Sequence, residues 1–456
     1  MINKYKLICI FTTFICVLIV LFSSRRFLDS SLSFIYLIQL GAFVTTTLKQ
    51  TNNRFFIFSP SFITLLYLNL NFILGHYTVS SGFGMSSRYF DAYIKYTNLN
   101  FISAFILICN LLVYLSLNFK KLRRAANVST NKAINVKNNF IYTLLAIIFA
   151  LNFITIDLSF LGGNGDFTYI FKLTTAALVV YLSSFKKGKL KYLLYLVLLL
   201  LFLIGNYDSK REIMYVLILI IFVEVIQNKI NIHIKIKHLL LGSLIFIGFI
   251  YIVLVSSILR GYGNFNVKSP IDAFGYVSEY IKADYISDAL TENFELNTVY
   301  GNGTNAINYV YNDEVPLLYG TTFIKFLFIP IPRSIYPDKP ESMINVYTSK
   351  FAPEFRSIGG SYPVIVYSEA MWNFHIFGWI IIYFLFYIIN MMYVKLIKLL
   401  QSHKLNMTLM YLLFMYITLI QFVRGSGFEM WFLYGLLSLP LSVIYVVIYK
   451  TKKLKK

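Results

Sequence analysis

Charged side chains are scarce in this sequence of 456 residues, and their scarcity decides its class. Only 13% of the residues are Asp, Glu, Lys or Arg, whereas 58% are hydrophobic. An ordinary soluble domain has about 25% charged residues, so this is not the composition of a soluble globular protein. The composition predicts an all-α polytopic membrane protein.

Cysteine is also almost absent. The sequence has three, Cys9, Cys16 and Cys109, and all of them fall within apolar runs. They cannot supply a disulfide or a CxxC metal site outside the membrane. The glycine-rich stretch 162–165 lacks the following Lys and Ser or Thr of a phosphate-binding P-loop. The sequence therefore indicates neither a metal nor a cofactor.

Apolar runs of about 20 residues recur along the chain, and such a run is long enough for a helix to cross a bilayer. No small-residue cleavage pattern follows the first run, so we expect a retained span there rather than a secretory signal peptide. We predict twelve spans, at residues 7–22, 31–48, 57–75, 99–118, 139–156, 167–185, 190–205, 212–228, 238–257, 364–392, 405–423 and 428–449.

Basic residues are distributed unequally between the two sides of these spans. With the N-terminus in the cytoplasm, 25 Lys and Arg residues lie in cytoplasmic segments and seven in the short outward joints. The positive-inside rule therefore predicts that both termini are cytoplasmic. Topology then explains the net charge of +21, so we expect contact with a lipid bilayer and none with nucleic acid. Among the acids only Glu224 lies near a cytoplasmic span end, which places the expected polar chemistry outside.

The predicted spans divide the chain into three regions. Residues 1–257 contain spans 1 to 9, residues 258–363 form one large outward loop, and residues 364–456 contain spans 10 to 12 with a basic cytoplasmic tail. A connection of about 105 residues is far longer than usual. It predicts a segment with a function of its own.

Within this loop, apolar residues at helical spacing predict two or three amphipathic helices between residues 269 and 308. The sequence YGNGT at Tyr300–Thr304 predicts a turn. The apolar run 317–331 is short for a span and ends in two prolines, so we expect a re-entrant or interfacial segment. The spacing of apolar residues in 343–351 predicts a helix that lies on the bilayer.

The stretch 320–378 holds six of the ten prolines and therefore cannot be one helix in lipid. Arg333 follows Ile-Pro-Ile-Pro, which restricts the chain before it. Glu369, Trp372 and Asn373 are three and four residues apart, so they lie on one face of a helix. We take this stretch as the candidate functional segment.

Three further arginines lie at predicted outward ends of spans, namely Arg211, Arg260 and Arg424. If their helices converge, the three would form a basic ring that faces an anionic ligand. Interfacial anchoring, with the guanidinium groups reaching toward water, is the alternative explanation.

Three pieces of the candidate segment resemble a known family. The sequences IPRSIYPDKP, GGSYP and SEAMWNFHIFG resemble the O-antigen polymerases, or Wzy-type oligosaccharide repeat-unit polymerases. The plan of many spans with a large outward loop before the last three is similar as well. A paired motif of some members, in which each arginine is followed eleven positions later by glycine, is not reproduced at Arg333 or at Arg260, because Ile344 and Ile271 stand at those positions.

The resemblance implies a bacterial glycosyltransferase on the outer face of the cytoplasmic membrane. Such an enzyme transfers a growing glycan from undecaprenyl diphosphate to a new carrier-linked oligosaccharide, without a cofactor. A chain-length regulator protein is a further partner that the resemblance suggests. On this interpretation Glu369 is the general base and Arg333 a second catalytic residue. The residues expected to bind substrate are Arg211, Arg260, Lys339, Arg356, Trp372, Asn373 and Arg424.

Three other functions are compatible with the general plan. An O-antigen ligase would hand the finished glycan to another acceptor, such as lipid A core. A lipid-linked oligosaccharide flippase or other transporter could have twelve spans, but polar or broken helices at the midplane and matching halves are typical of transporters. A structural membrane scaffold would leave the proline-rich charged stretch unexplained.

The charge distribution gives a direct test of topology. Reporters fused after Lys189 and Lys404 should read as cytoplasmic, because basic residues favour the inside. Reporters fused after Asn164 and Asp313 should read as outside. Paired alkaline phosphatase and green fluorescent protein fusions measure this, and an inside signal at Asp313 would contradict an external active site.

Overall fold

The computed structural model describes an all-helical chain. Its regular secondary structure is helical throughout the described part, with no strand there. The residues described are 4–50, 54–81, 98–126, 137–156, 168–205, 210–227, 247–248, 250–251, 254–255, 257–259, 267, 270–282, 296–328, 331 and 335–454.

Ten helices occupy the first half of the chain, within the region predicted to hold spans 1 to 9. Apolar side chains from all ten contribute to one continuous buried core. They are α1 (Lys4–Phe22), α2 (Arg25–Gln50), α3 (Arg54–Ile57), α4 (Pro60–Ser81), α5 (Leu99–Leu115), α6 (Phe119–Ala126), α7 (Asn138–Ala150), α8 (Thr168–Ser183), α9 (Lys189–Gly205) and α10 (Lys210–Gln227).

The second half contains shorter helices followed by long ones. The helices between residues 270 and 357 fall in the region predicted as an outward loop, and 3-10 turns cover Lys325–Phe328 and His375–Phe377. The helices are α11 (Pro270–Lys282), α12 (Leu296–Tyr311), α13 (Thr321–Ile324), α14 (Met343–Phe351), α15 (Pro353–Ser357), α16 (Val366–Phe374), α17 (Gly378–Gln401), α18 (Met407–Ile417) and α19 (Phe428–Leu454).

Six described segments are long and apolar enough to cross a membrane, and a bent pair would make a seventh. The pair joins α18 to Leu419–Ser426 at an angle of 42°. Helices α7 and α8 are apolar but have only 13 and 16 residues. These helices support a polytopic membrane protein. The six segments are Lys4–Phe22, Arg25–Lys49, Pro60–Ser81, Leu99–Leu122, Val366–Gln401 and Phe428–Thr451.

Uncharged amide side chains join the first helices to α16 in the protein interior. The Asn110 Nδ2 group donates to Gln39 Oε1 and to Asn69 Oδ1, both at 3.1 Å. The Tyr367 hydroxyl of α16 donates to Asn110 Oδ1 at 2.9 Å. Gln39 Nε2 in turn donates to Thr13 Oγ1 and to the Leu107 carbonyl. Since buried polar groups are costly without partners, this amide network fixes the position of α16 against the first helices.

The turn predicted at Tyr300–Thr304 is wrong, because these residues lie inside α12. Glycine normally weakens a helix, but here it allows a close approach between helices. A Cβ atom on Gly303 would lie 2.8 Å from Ile365 Cδ1, and Ser368 Oγ donates to the Gly303 carbonyl at 2.7 Å. Packing against the start of α16 therefore outweighs the weak helix propensity of Gly301 and Gly303.

The apolar run 317–331 does not form a spanning helix, as predicted. Its helical residues within the described part of the run are those of α13 and the 3-10 turn that follows it. The Phe326 ring packs on Phe432 of α19, with ring centroids 4.4 Å apart. The run is therefore short and broken, and its aromatic side chains dock it on another helix.

The helix predicted in 343–351 is present as α14, but its apolar face does not point to lipid. Met343 and Tyr347 are buried, and the Tyr347 hydroxyl donates to Asn302 Oδ1 of α12 at 3.1 Å. The Phe351 ring stacks on Tyr309 of α12 at 4.1 Å. The expectation of a helix lying on the bilayer is corrected, because α12 supplies a nearer apolar surface.

The predicted span 364–392 is also not one continuous helix. It breaks after α16, where His375 has φ 52°, and resumes as α17. A Cβ atom on Gly378 would lie 2.5 Å from the Ala370 carbonyl oxygen. Only glycine allows this close approach of the two helical segments.

Candidate functional site

Three interruptions of helical structure meet around one carboxylate. They are the broken segment α13 with its 3-10 turn, the π-helical turn Phe422–Ser426 before α19, and the start of α16. The polar side chains at this point are called here the Glu369 cluster. Its members are Thr322, Lys325, Glu369, Asn373 and Glu429.

Glu369 lies in the first turn of α16 and is only 1% exposed. Its Oε1 atom accepts a hydrogen bond from Thr322 Oγ1 at 2.9 Å. Its Oε2 atom accepts one from the backbone amide of Phe428 at 3.3 Å. Phe428 is the first residue of α19, where backbone amides lack intrahelical partners and the helix dipole favours a negative charge. Glu369 therefore caps α19 from another helix.

Asn373 lies one turn after Glu369 and extends the same hydrogen-bonded chain. Its Nδ2 group donates to Thr322 Oγ1 at 2.9 Å and to the Glu369 carbonyl at 2.8 Å. Trp372 donates from Nε1 to the Pro316 carbonyl at 2.9 Å. The prediction that Glu369, Trp372 and Asn373 share one face is confirmed, since all three contact the segment 316–322.

Glu429 brings a second buried carboxylate to the cluster. It is 0% exposed, and the Lys325 ammonium lies 3.6 Å from its Oε1 atom. Lys325 and the backbone amide of Glu429 itself both stabilise the charge of this carboxylate. The Glu369 carboxylate interacts electrostatically with both Glu429 and Lys325. Two acids thus share one lysine in a region where unpaired charge is costly.

The π-helical turn before α19 depends on glycine. Gly425 has φ 122° and Gly427 has φ 88°, values that side chains rarely allow. The Gly425 carbonyl accepts a hydrogen bond from the Val364 amide at 3.4 Å. The turn is thereby tied to the residues just before α16, so it positions the start of α19 beside Glu369.

Two of the predicted ring arginines, Arg211 and Arg424, are among the described residues. Arg424 belongs to the π-helical turn and is partly buried. Arg211, exposed at the start of α10, interacts electrostatically with Tyr434 of α19, which also interacts with Glu429. The third, Arg260, lies outside the described residues.

The loop cations show different surroundings. Lys339 is 6% exposed, and its ammonium donates to the Ile331 carbonyl at 3.3 Å, so it ties together the proline-rich turn. Arg356 is part of α15 and makes no hydrogen bond or ion pair to the Glu369 cluster within the described ranges. Arg333, the other predicted catalytic residue, lies outside those ranges.

Three members of the cluster were missed by sequence reasoning. Lys325 interrupts the apolar run 317–331, and Thr322 precedes it by three residues, so both fall on one face of a short helix. Glu429 stands at the start of the last span, directly after Gly427 and Phe428. A charged residue inside a predicted membrane segment is the signal that could have found the two charged ones.

The arrangement offers a carboxylate that can accept a proton. Glu369 presents a carboxylate whose position is fixed from two sides, which suits a general base. Lys325 lies beside Glu429 in the first turn of α19, and Arg424 belongs to the turn just before that helix. Among the described residues no three His, Cys, Asp or Glu side chains are grouped as a metal site.

The glycine requirement of the turn can be tested by Gly425→Ala. Its Cβ atom would lie 2.4 Å from the Val364 backbone atoms and would occupy a strained φ, so we expect a loss of about 2 to 4 kcal/mol in the free energy of unfolding. Gly41→Ala is the matched control, because a Cβ atom there has no atom within 4 Å. Thermal unfolding of purified protein gives the measurement, and equal stability of both variants would contradict the described turn.

Comparison of this chain with protein-family models, with curated proteins and with solved structures gives no match.

Proposed function

We propose that this protein is a membrane glycosyltransferase that polymerises undecaprenyl-diphosphate-linked oligosaccharide repeat units into a surface polysaccharide. The product is an O-antigen, a capsule or an exopolysaccharide. The resemblance of IPRSIYPDKP, GGSYP and SEAMWNFHIFG to O-antigen polymerases supports the family. The acid and the cations that converge at α16 and α19 support the chemistry.

The observation that carries the proposal is the environment of Glu369. A hydroxyl and a backbone amide orient its carboxylate, and it stands in the part of the sequence that resembles the polymerases. A carboxylate held in this way is ready to receive a proton without reorganising its surroundings. Glu369 is therefore our candidate for the group that activates the acceptor sugar.

The transfer itself needs one bond to form and one to break. The acceptor hydroxyl gives its proton to Glu369, and its oxygen bonds to the anomeric carbon of the donor. The bond from that carbon to the diphosphate oxygen breaks, and the lipid diphosphate leaves with the electron pair. Arginines suit this leaving group because they bind phosphate through paired, charge-assisted hydrogen bonds.

The proposal includes the finer topology that the sequence predicts. Twelve spans, with both termini in the cytoplasm of a bacterium, place residues 258–363 outside the inner membrane. The Glu369 cluster then lies toward the outer face, where carrier-linked repeat units are presented. Lys325 and Arg424 lie close to the start of α19, at the level expected for a diphosphate head group.

The role of Glu369 is tested by Glu369→Gln in a strain whose own gene is deleted. The amide keeps the side-chain size but cannot take a proton, so polymerisation should fall at least about a hundredfold at unchanged membrane abundance. Gel analysis of surface glycan should show single repeats in place of long chains. Glu354→Gln changes an exposed acid of α15 and should leave chain length normal.

Two outcomes would contradict this assignment. Long chains in the Glu369→Gln strain would remove the residue as the base. Free polymer on carrier lipid in the deletion strain, with none on its final acceptor, would point to a ligase instead.

Arg333 allows a second test of the same site. Arg333→Lys keeps the charge but loses the planar pair of donors, so we expect clear impairment, and Arg333→Ala should be nearly inactive. A hydrogen bond to a charged group contributes about 1.5 to 3 kcal/mol, which corresponds to about ten- to a hundredfold in rate. The measurement is chain length at matched protein abundance.

A charge exchange separates substrate binding from a role in shaping the loop. In Arg333→Asp combined with Asp338→Arg, an ion pair between the two residues would be restored. If Arg333 binds substrate, the exchange would not restore activity, because an acid would then face the diphosphate. Recovery of long chains in the double variant would contradict substrate binding.

A further inference from the structure

A short basic helix follows span helix α5 directly. Helix α6 has the sequence FKKLRRAA and begins four residues after the end of α5. The Asn118 side chain accepts a hydrogen bond from the Lys121 amide at 3.0 Å, which caps the helix start. Phe119, Leu122 and Ala125, spaced by three residues, are all buried. This buried stripe fixes which face of α6 is left outside.

The outer face of α6 carries positive charge. Lys120 and Arg124 are exposed on adjacent turns, and Lys121 is partly exposed. Lys6 of α1 comes close to the same helix, since its ammonium lies 5.6 Å from the Phe119 ring centroid and donates to the Leu115 carbonyl at 2.9 Å. The described part of the chain shows no carboxylate in an ion pair with any of these cations.

The Lys121 side chain contacts α17 beside a row of exposed apolar side chains. Its ammonium lies 5.8 Å from the Tyr387 ring centroid and 3.4 Å from Met391 Sδ. Ile388, one turn before Met391, is 57% exposed, and Phe384, two turns before it, is 56% exposed. These two side chains are four residues apart and therefore lie on one face of α17. A cation thus stands beside an exposed apolar strip on a membrane helix.

We propose that α6 and α17 together bind an anionic phospholipid. The lipid phosphate would contact Lys120, Lys121 and Arg124, and an acyl chain would follow Phe384 and Ile388. The charge is complementary, because the helix presents cations without paired acids, and anionic lipids attract such groups at a membrane surface. A nucleic acid or an acidic protein bound to these cations would leave the apolar strip uncovered. This site depends neither on glycosyl transfer nor on the direction of the chain in the membrane.

The test uses the full-length protein, purified and stripped of lipid in a neutral detergent. Phosphatidylglycerol is added in one series and phosphatidylcholine in another, and the melting temperature is followed by the fluorescence of the three tryptophans. Native mass spectrometry counts the bound lipids. We expect phosphatidylglycerol alone to raise the melting temperature in a saturable way.

The variant Lys120→Gln with Lys121→Gln and Arg124→Gln should lose this effect. Each cation near a lipid surface contributes roughly fivefold, so the affinity for phosphatidylglycerol should fall about a hundredfold. The matched control replaces three exposed cations elsewhere, Lys187, Lys189 and Lys450, with Gln and should bind as the wild type does. If the triple variant does not fold, Lys120→Gln with Arg124→Gln, which changes only exposed groups, should weaken binding about 25-fold.

Three results would overturn the proposal. The first is equal stabilisation of the triple variant and its control by phosphatidylglycerol. The second is equal stabilisation by phosphatidylcholine, which would indicate anchoring without head-group recognition. The third is the same shift with soluble glycerol phosphate, which would indicate a phosphate site and not a lipid site.

Discussion

The Glu369 carboxylate accepts hydrogen bonds from two distant parts of the chain, and the arrangement of the surrounding helices depends on it. Thr322 reaches it from the broken segment before the proline-rich loop, and the Phe428 amide reaches it from the last long helix. A helix start buried without a partner is unfavourable, and so is a buried carboxylate without donors. The hydrogen bond between them therefore gives the Phe428 amide an acceptor and the Glu369 carboxylate a donor. Because the two donors lie 106 residues apart in sequence, these two hydrogen bonds help to hold the loop region against the final helices, together with the packing of Phe326 on Phe432.

Irregular backbone is tolerated within a membrane protein only where other protein groups cover it. Around the Glu369 cluster that cover requires very close packing, which explains the positions of several glycines. Gly378 faces the Ala370 carbonyl, Gly425 faces the Val364 backbone, and Gly303 faces the Ile365 side chain. All three contacts involve α16 or the residues just before it. The segment that carries Glu369 is therefore enclosed from several directions by backbone, and this enclosure favours a rigid site over a flexible loop.

The sequence predicted the helical class, most helix positions and the shared face of Glu369, Trp372 and Asn373, because hydropathy and helical periodicity act over short distances. It failed where tertiary contacts override local preference. Glycines in Tyr300–Thr304 favour a turn locally, yet packing of α12 on α16 keeps them helical. The apolar face of α14 was assigned to lipid because its true partner, α12, lies far away in sequence. The charges of Glu429 and Lys325 within apolar segments are visible in the sequence, but their contact with each other is not, since the two residues lie far apart in the chain.

The amide network beneath α16 is made entirely of groups that carry no charge. Gln39, Asn69, Asn110 and Tyr367 satisfy one another through dipoles. A membrane potential does work only on charge that moves, about 2.3 kcal/mol for each elementary charge across 100 mV. Moving α16 against the first helices would therefore transfer no charge through this network. Any work that the potential did on such a movement would act instead on the Glu369 carboxylate that α16 carries, and not on the groups that hold α16 in place.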